Sequence, residues 1–264
     1  MALADREWRL VREKSHPGPT NMALDAVAAE TTAGGGPRTL RVYRWEPSTL
    51  SLGYGQASET VDWEYCESEG IDVTRRPTGG GGIYHDAVGD VSYSIVVPAD
   101  EVPGDLMECY SLLLEPVLDA FDRMGVPASL AEKSRPALYR PACYLREVHP
   151  AHDVLVGGRK ISGNAQYRTR DAVIQHGSIT FARETARHLA VFDDPGVGAD
   201  EFDARVTSVR GESGIEREEA VGAVEGALAE WADADAGGWT DAELERAGEL
   251  VGERFADDEW IRRR

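Results

Sequence analysis

The sequence predicts an α+β domain with a mostly antiparallel sheet flanked by helices, and three observations carry that reading. Stretches with strand-like alternation come in neighbouring groups joined by tight turns, the clearest being Asp153–Val156, Arg159–Gln166 and Ala172–Phe181. Helical periodicity falls between those groups and not after every strand, which disfavours a parallel βαβ sheet. No G-x-x-x-x-G-K-[ST] loop occurs, and no G-x-G-x-x-G follows a strand, so the standard mononucleotide and dinucleotide folds are disfavoured too.

From the N-terminus, Thr20 is expected to cap a helix over Asn21–Glu30, with Met22, Leu24 and Ala28 among its small and apolar positions. Thr39–Trp45 alternates as a strand, Glu46-Pro47-Ser48 turns, and Leu50–Gly53 resumes it. Val61–Gly70 reads as a short helix with a glycine stop. Ile71–Thr74 and Val91–Val97 alternate like half-buried strands, and the glycine run between them is expected to join them within one sheet. Leu106, Tyr110, Leu113, Leu114, Val117 and Phe121 keep helical spacing. Ala128–His152 has three prolines and little periodicity, which predicts a long loop.

The three strands named first then form a meander with a turn at Gly157-Gly158. A helix carrying Val221, Val224, Leu228 and Trp231 precedes one capped by Thr240 and carrying Leu244, Ala247, Leu250, Val251 and Phe255. A single domain over residues 1–264 is expected, with C-terminal helices from 216 to 264 packed on it.

With 264 residues, 42% of them hydrophobic, the chain can bury a real core. It has no apolar run long enough to span a membrane and no secretion-signal pattern, and its three cysteines are widely spaced, which together predict a cytoplasmic protein. The net charge of −19, from 47 acidic against 28 basic residues, argues against nonspecific binding of nucleic acid or anionic membranes. Only Lys14, Lys133 and Lys160 are lysines, and an acidic, lysine-poor surface suggests adaptation to high salt. His149 and His152 lack neighbouring cysteine pairs, so no metal site is expected.

Two stretches stand out chemically. Arg75-Arg76-Pro77-Thr78-Gly79-Gly80-Gly81-Gly82-Ile83-Tyr84-His85 sets a glycine run beside two guanidiniums suited to gripping a phosphate or carboxylate. Lys160 stands among Ile161, Ser162, Gly163 and Ala165, where small side chains leave room for a ligand whose phosphate or acyl carbonyl a lysine would polarise.

In order, Arg75-Arg76-x-x-Gly-Gly-Gly…His85, Asp153…Gly158-Arg159-Lys160-Ile161-Ser162-Gly163…Gln166 and Gln175-His176-Gly177 resemble the lipoate-protein ligase and octanoyltransferase family, which also includes the biotin ligases. Asn21–Asp25 and the stretch from Tyr43 to Gln56 match its opening helix and first strands, and the likeness spans roughly residues 10 to 260. The resemblance implies a class II biotin/lipoate ligase-like catalytic domain. Arg76 and the backbone of Gly79, Gly80, Gly81, Gly82, Ile83 and Tyr84 would hold the acyl carboxyl end and the phosphate of an acyl-adenylate, with His85 closing the turn. Lys160 would contact both acyl carbonyl and phosphate, and Gly163, Ala165 and His176 would line the remainder.

The first reading is lipoate-protein ligase: ATP, with Mg, and lipoate give lipoyl-AMP, which a lysine of a lipoyl domain attacks, on a 2-oxoacid dehydrogenase complex or the glycine cleavage H protein. No separate C-terminal accessory domain is expected, so a ligase of this form would need an accessory chain for activation or would take the preformed adenylate. The alternative is octanoyl transfer from acyl carrier protein through a cysteine thioester. Cys143 lies on the loop where one subgroup carries that cysteine, 17 residues before Lys160, and a nearby ammonium favours the thiolate form of a cysteine. Cys66 and Cys109 read as packed helix residues. A distant alternative is a non-catalytic protein that binds lipoate, biotin or a lipoyl domain.

Overall fold

The computed structural model describes residues 7–263. The domain reading over 1–264 therefore extends past the described residues at both ends. The chain opens with β1 (Trp8–His16), α1 (Gly18–Ala33), β2 (Arg38–Trp45), β3 (Thr49–Leu52), α2 (Trp63–Ser68), β4 (Asp72–Arg75) and β5 (Ile83–His85). There follow β6 (Asp90–Pro98), α3 (Leu106–Arg123), β7 (Ser129–Leu130), β8 (Asp153–Val156), β9 (Arg159–Arg168) and β10 (Ala172–Thr180). The C-terminal part holds α4 (Thr185–Ala190), α5 (Ala199–Asp203), α6 (Val209–Ser213), α7 (Arg217–Ala232), β11 (Asp235–Gly237), α8 (Asp241–Leu250) and α9 (Asp258–Ile261).

Eight strands form one sheet in the order β11-β1-β2-β6-β10-β9-β8-β7, and three form a second in the order β4-β3-β5. The expected α+β class, helices around a mostly antiparallel sheet, is what the structure shows, with the β8-β9-β10 meander in one half of the large sheet. Alternation divides the work of the large sheet. Val91, Tyr93, Ile95 and Val97 of β6 join α3 and α7 in the main core, while Ser92 and Ser94 point to the opposite side, toward Trp45 and Asp25. That side is covered by α1 and the small sheet, and the functional cavity opens between the two sheets.

Several expectations are corrected. Ile71–Thr74 and Val91–Val97 do not share a sheet: the first is β4 of the small sheet, the second β6 of the large one. The glycine run instead links β4 to β5, which sit on either side of β3. The first helix starts at Gly18, not at Asn21, with Pro19 in its first turn, and it has no side-chain cap because Pro17 at the N-cap carries no acceptor. The sequence pattern gives no strand at Trp8–His16, since Arg9 occupies a buried position paired to Glu243 at 2.6 Å, and the register slips between Val11 and Lys14. β1 pairs in parallel with β2 and β11, which makes the large sheet mixed. Leu244 is exposed on α8. The 128–152 loop contains β7 and a turn of 3-10 helix at Cys143–Leu145. Cys66 and Cys109 are buried on α2 and α3 as expected.

Candidate active site

Strand β9 carries Lys160, and a bulge decides where it points. Pairing with β8 runs from Val154 opposite Ser162 to Leu155 opposite Lys160, so Ile161 is an extra residue on β9. Such a residue shifts side-chain parity by one. Ile161 therefore sinks into the helix-side core while Lys160 and Gly163 face the same cavity: a Cβ on Gly163 would stand 3.3 Å from Lys160 Cε and 3.2 Å from Cys143 Sγ. The backbone of Lys160 is pinned by a chain segment after α5, its N–H donating to Arg205 O at 2.7 Å and its carbonyl accepting from Thr207 N–H at 2.9 Å.

The Lys160 ammonium lies 2.6 Å from Asp153 Oδ1, donates to Cys143 O at 3.2 Å and stands 3.7 Å from Cys143 Sγ. Burial alone would lower its pKa, but the charges of Asp153 and of the Cys143 sulfur outweigh that and raise it. Asp153 moves the other way: burial opposes its charge, yet Lys160 and His152 hold the carboxyl down at about 2.

The Cys143 loop rests on the glycine run. Gly82 N–H donates to Pro141 O at 2.6 Å and Cys143 N–H donates to Gly82 O at 2.8 Å. This close approach explains two of the glycines. A Cβ on Gly81 would lie 2.7 Å from Pro141 O, and one on Gly82 would lie 2.9 Å from the Phe192 ring. Gly80 adopts a φ of +100°, where a side chain is strained. Beneath the run, Arg76 donates to Gly79 O at 2.9 Å, to Gly81 O at 2.6 Å and to Ser51 O at 2.7 Å. Burial lowers Arg76 to about 10, so it stays a cation, and no carboxylate pairs with it among the described residues.

Where the sequence suggested a grip on a free anion, Arg76 thus shapes the run from within. Arg75 is turned away altogether, its guanidinium donating at 2.7 Å each to the carbonyls of Gly53, Gln56 and Ile261 and so tying α9 to the small sheet.

A buried polar network forms the floor. His176 Nε2 meets Thr78 Oγ1 at 2.8 Å and its Nδ1 lies 3.4 Å from Asp25, which also pairs with Arg41 at 2.8 Å. His85 bonds Ser51 at 2.9 Å and Asp90 at 3.0 Å and stacks on Trp45 at 4.0 Å; burial lowers its pKa and keeps the ring neutral. Ser178 donates to Asp90 and lies 3.1 Å from the Tyr144 hydroxyl, whose ring approaches Lys160.

Of the residues singled out in the sequence, Arg76, Ile83, His85, Cys143, Lys160, Gly163, Ala165 and His176 line one cavity. Gly79, Gly80 and Gly81 line an adjoining open depression instead. Gly82 lies between the two as a backbone partner of the Cys143 loop, and Tyr84 turns away, its hydroxyl on Asp86 at 3.0 Å and its ring on His188. Asp25, Thr78, Asp90, Tyr144 and the Arg205–Thr207 segment escaped sequence reasoning. A carboxylate set among Met22, Ala23 and Leu24 was a usable signal for Asp25; the others gave none. Met22, Tyr43, Trp45 and Ile83 give the cavity apolar lining beside Lys160 and Cys143.

A family profile described as Lipoyl protein ligase A/B catalytic domain matches residues 17–229, and the chain belongs to that family. It is 34% identical over 273 residues to an octanoyltransferase LipM of Kyrpidia tusciae, covering 96% of this chain and 97% of that protein. To the octanoyltransferase LipM of Symbiobacterium thermophilum it is 37% identical over 183 residues, covering 66% of this chain and 65% of the relative's length. Its fold is similar to that of lipoate-protein ligase A bound with ATP, with a TM-score of 0.80, 25% identity, and coverage of 97% of this chain and 98% of that one. The protein is thus an enzyme of the lipoyl and octanoyl transfer class, and no helix among its described residues is long and apolar enough to cross a membrane.

Proposed function

We propose that the protein is a cysteine-dependent octanoyltransferase, and the carrying observation is Cys143 Sγ at 3.7 Å from the Lys160 ammonium within the acyl cavity. The octanoyl group enters as the thioester of an acyl carrier protein. The Cys143 thiolate attacks the thioester carbonyl, the carbon–sulfur bond to the carrier breaks, and the carrier thiolate leaves with the electron pair. Lys160 supplies positive charge beside the carbonyl oxygen as it becomes anionic. The amine of a lysine on a lipoyl domain, or on the glycine cleavage H protein, then attacks the Cys143 thioester, loses a proton and releases the thiolate. The sequence-led preference for the ligase reaction yields here because the named relatives are octanoyltransferases and the thiol stands beside the lysine.

Octanoyl carrier protein should leave an octanoyl adduct on Cys143, seen by mass spectrometry, and Cys143→Ala should lose both adduct and transfer. A Cys143→Ala enzyme that lipoylates an apo-domain from ATP and lipoate at the wild-type rate would replace this reading with the ligase. The fold likeness to an ATP-bound ligase is what keeps that second reading in view. In that case Lys160 would face the carbonyl and phosphate of lipoyl-AMP.

A further inference from the structure

The acyl cavity does not end at Cys143. Arg146 lines it and also lines the open depression beside it, together with Gln56, Thr60, Arg140 and the Gly79–Gly81 backbone. Met22, Tyr43, Trp45 and Ile83 are among the side chains that line the inner compartment, whereas the depression is lined by Gln56, Thr60, small residues and two guanidiniums.

In a protein with 47 acidic and 28 basic residues, Arg146 makes no ion pair among the described residues, although it is half-buried. Among the described residues Arg140 is paired only with Glu147, both side chains being more than half exposed, at 69% and 54%. Exposed pairs of that kind contribute little and exchange readily. Below the run lies Arg76, a second cation without a carboxylate, close enough that Arg146 acts on it as a like charge. The stem of Arg146 passes over the run: a Cβ on Gly81 would come within 2.9 Å of Arg146 Cδ, so the glycine is what lets the arginine cross there. An arginine that crosses a glycine backbone beside an open hollow, with no ion pair among the described residues, is fitted to receive a phosphate oxyanion in bidentate fashion.

We propose that the depression between Arg146, Arg140 and the Gly79–Gly81 backbone is the subsite for the phosphate of the acyl donor's phosphopantetheine arm. The assignment rests on the octanoyl-transfer reading and extends it. The donor then lies along one path, with its acyl chain in the apolar cavity, its thioester carbonyl at Cys143 and Lys160, and its anionic tail past Arg146. Arg146 acts as a positioning residue, holding the arm while Cys143 reacts.

The test compares two donors with the same thioester, octanoyl-phosphopantetheine and octanoyl-pantetheine, which lacks only the phosphate. The wild-type enzyme should prefer the phosphorylated donor in kcat/KM by about tenfold or more, mainly through KM, as expected for one charge-assisted contact. In Arg146→Ala that ratio should fall toward one, and Arg146→Lys should retain part of it. Thermal midpoints establish that both variants are folded. Equal use of the two donors by the wild type overturns the assignment, and so does an Arg146→Ala enzyme in which both donors lose in the same proportion, since that is the mark of a structural role. Failure of the octanoyl-transfer reading looks different. If neither thioester leaves an adduct on Cys143 while octanoyl-AMP supports transfer, the transferase and the phosphopantetheine subsite fall together.

Discussion

Asp153→Asn isolates the charge on which the site depends. The substitution keeps the side chain's size and leaves the Lys160 ammonium buried without a carboxylate 2.6 Å away. In the folded protein the Asp153 carboxyl is held at about 2 against an ordinary 3.8, which corresponds to about 2 kcal/mol of stabilisation. Stranding the lysine adds to the loss, and breaking one side of a buried pair costs about 3 to 5 kcal/mol in all. For a chain of this length that is a drop of roughly 10 °C in thermal midpoint near pH 7.

Because the folded carboxyl lies below its unfolded value, the wild-type advantage is complete above pH 3.8 and fades as pH falls toward about 2. Urea unfolding of both proteins across that range should show the gap narrowing. Octanoyl adduct formation on Cys143, followed by mass spectrometry, should slow by about two orders of magnitude, because Lys160 loses the group that holds it charged and in place. A variant within a degree of wild type at pH 7, or a stability gap that does not change below pH 4, would refute the account of Lys160 as a paired, buried cation.

Further outcomes follow from particular contacts and from the net charge. Gly81→Ala should destabilise by about 1–3 kcal/mol and impair Cys143 acylation, because its Cβ meets Pro141 O at 2.7 Å, whereas Gly79→Ala, with nothing within 4 Å, should stay within about 0.5 kcal/mol of wild type. Equal melting temperatures for the two variants would contradict the close-approach explanation of the run. Gly163→Ala pushes on Cys143 Sγ from 3.2 Å, so kcat should fall by about tenfold with little change in midpoint, and full turnover would remove Gly163 from the site.

His188, packed among Tyr84, Tyr144 and Phe202, is lowered by burial to about 4 from 6.5. It therefore subtracts about 3 kcal/mol as pH falls from 6.5 to 4, and His188→Phe should flatten the wild-type pH–stability curve there. With a net charge of −19, the midpoint should climb from dilute buffer to molar potassium chloride; an unchanged midpoint would count against a high-salt origin.

Local pattern was enough for much of the fold. The meander around Gly157-Gly158, the helix from Leu106 and the Thr240 cap were all legible, because each depends on side chains within a turn or two of one another. β1 was not legible, since its inward Arg9 is matched by Glu243 more than two hundred residues away, a pairing no local window contains. The site followed the same division. Amino-acid order marked the glycine run, Lys160 and His176 as chemistry-bearing groups, and the family resemblance that they carry then pointed to Cys143.

Which of those groups meet was a tertiary matter. The bulge at Ile161 sets whether Lys160 faces the core or the cavity, and strict alternation along β9 would have put Lys160 and Gly163 on opposite faces. Likewise, nothing in Arg75 to His85 tells that the run's carbonyls cradle Arg76 or that its last glycine carries the loop of Cys143. Composition and periodicity specify which faces are buried. Register, close backbone approach and the pairing of buried charges arise only when distant segments pack, and for this protein those three brought the thiol, the lysine and its carboxylate together.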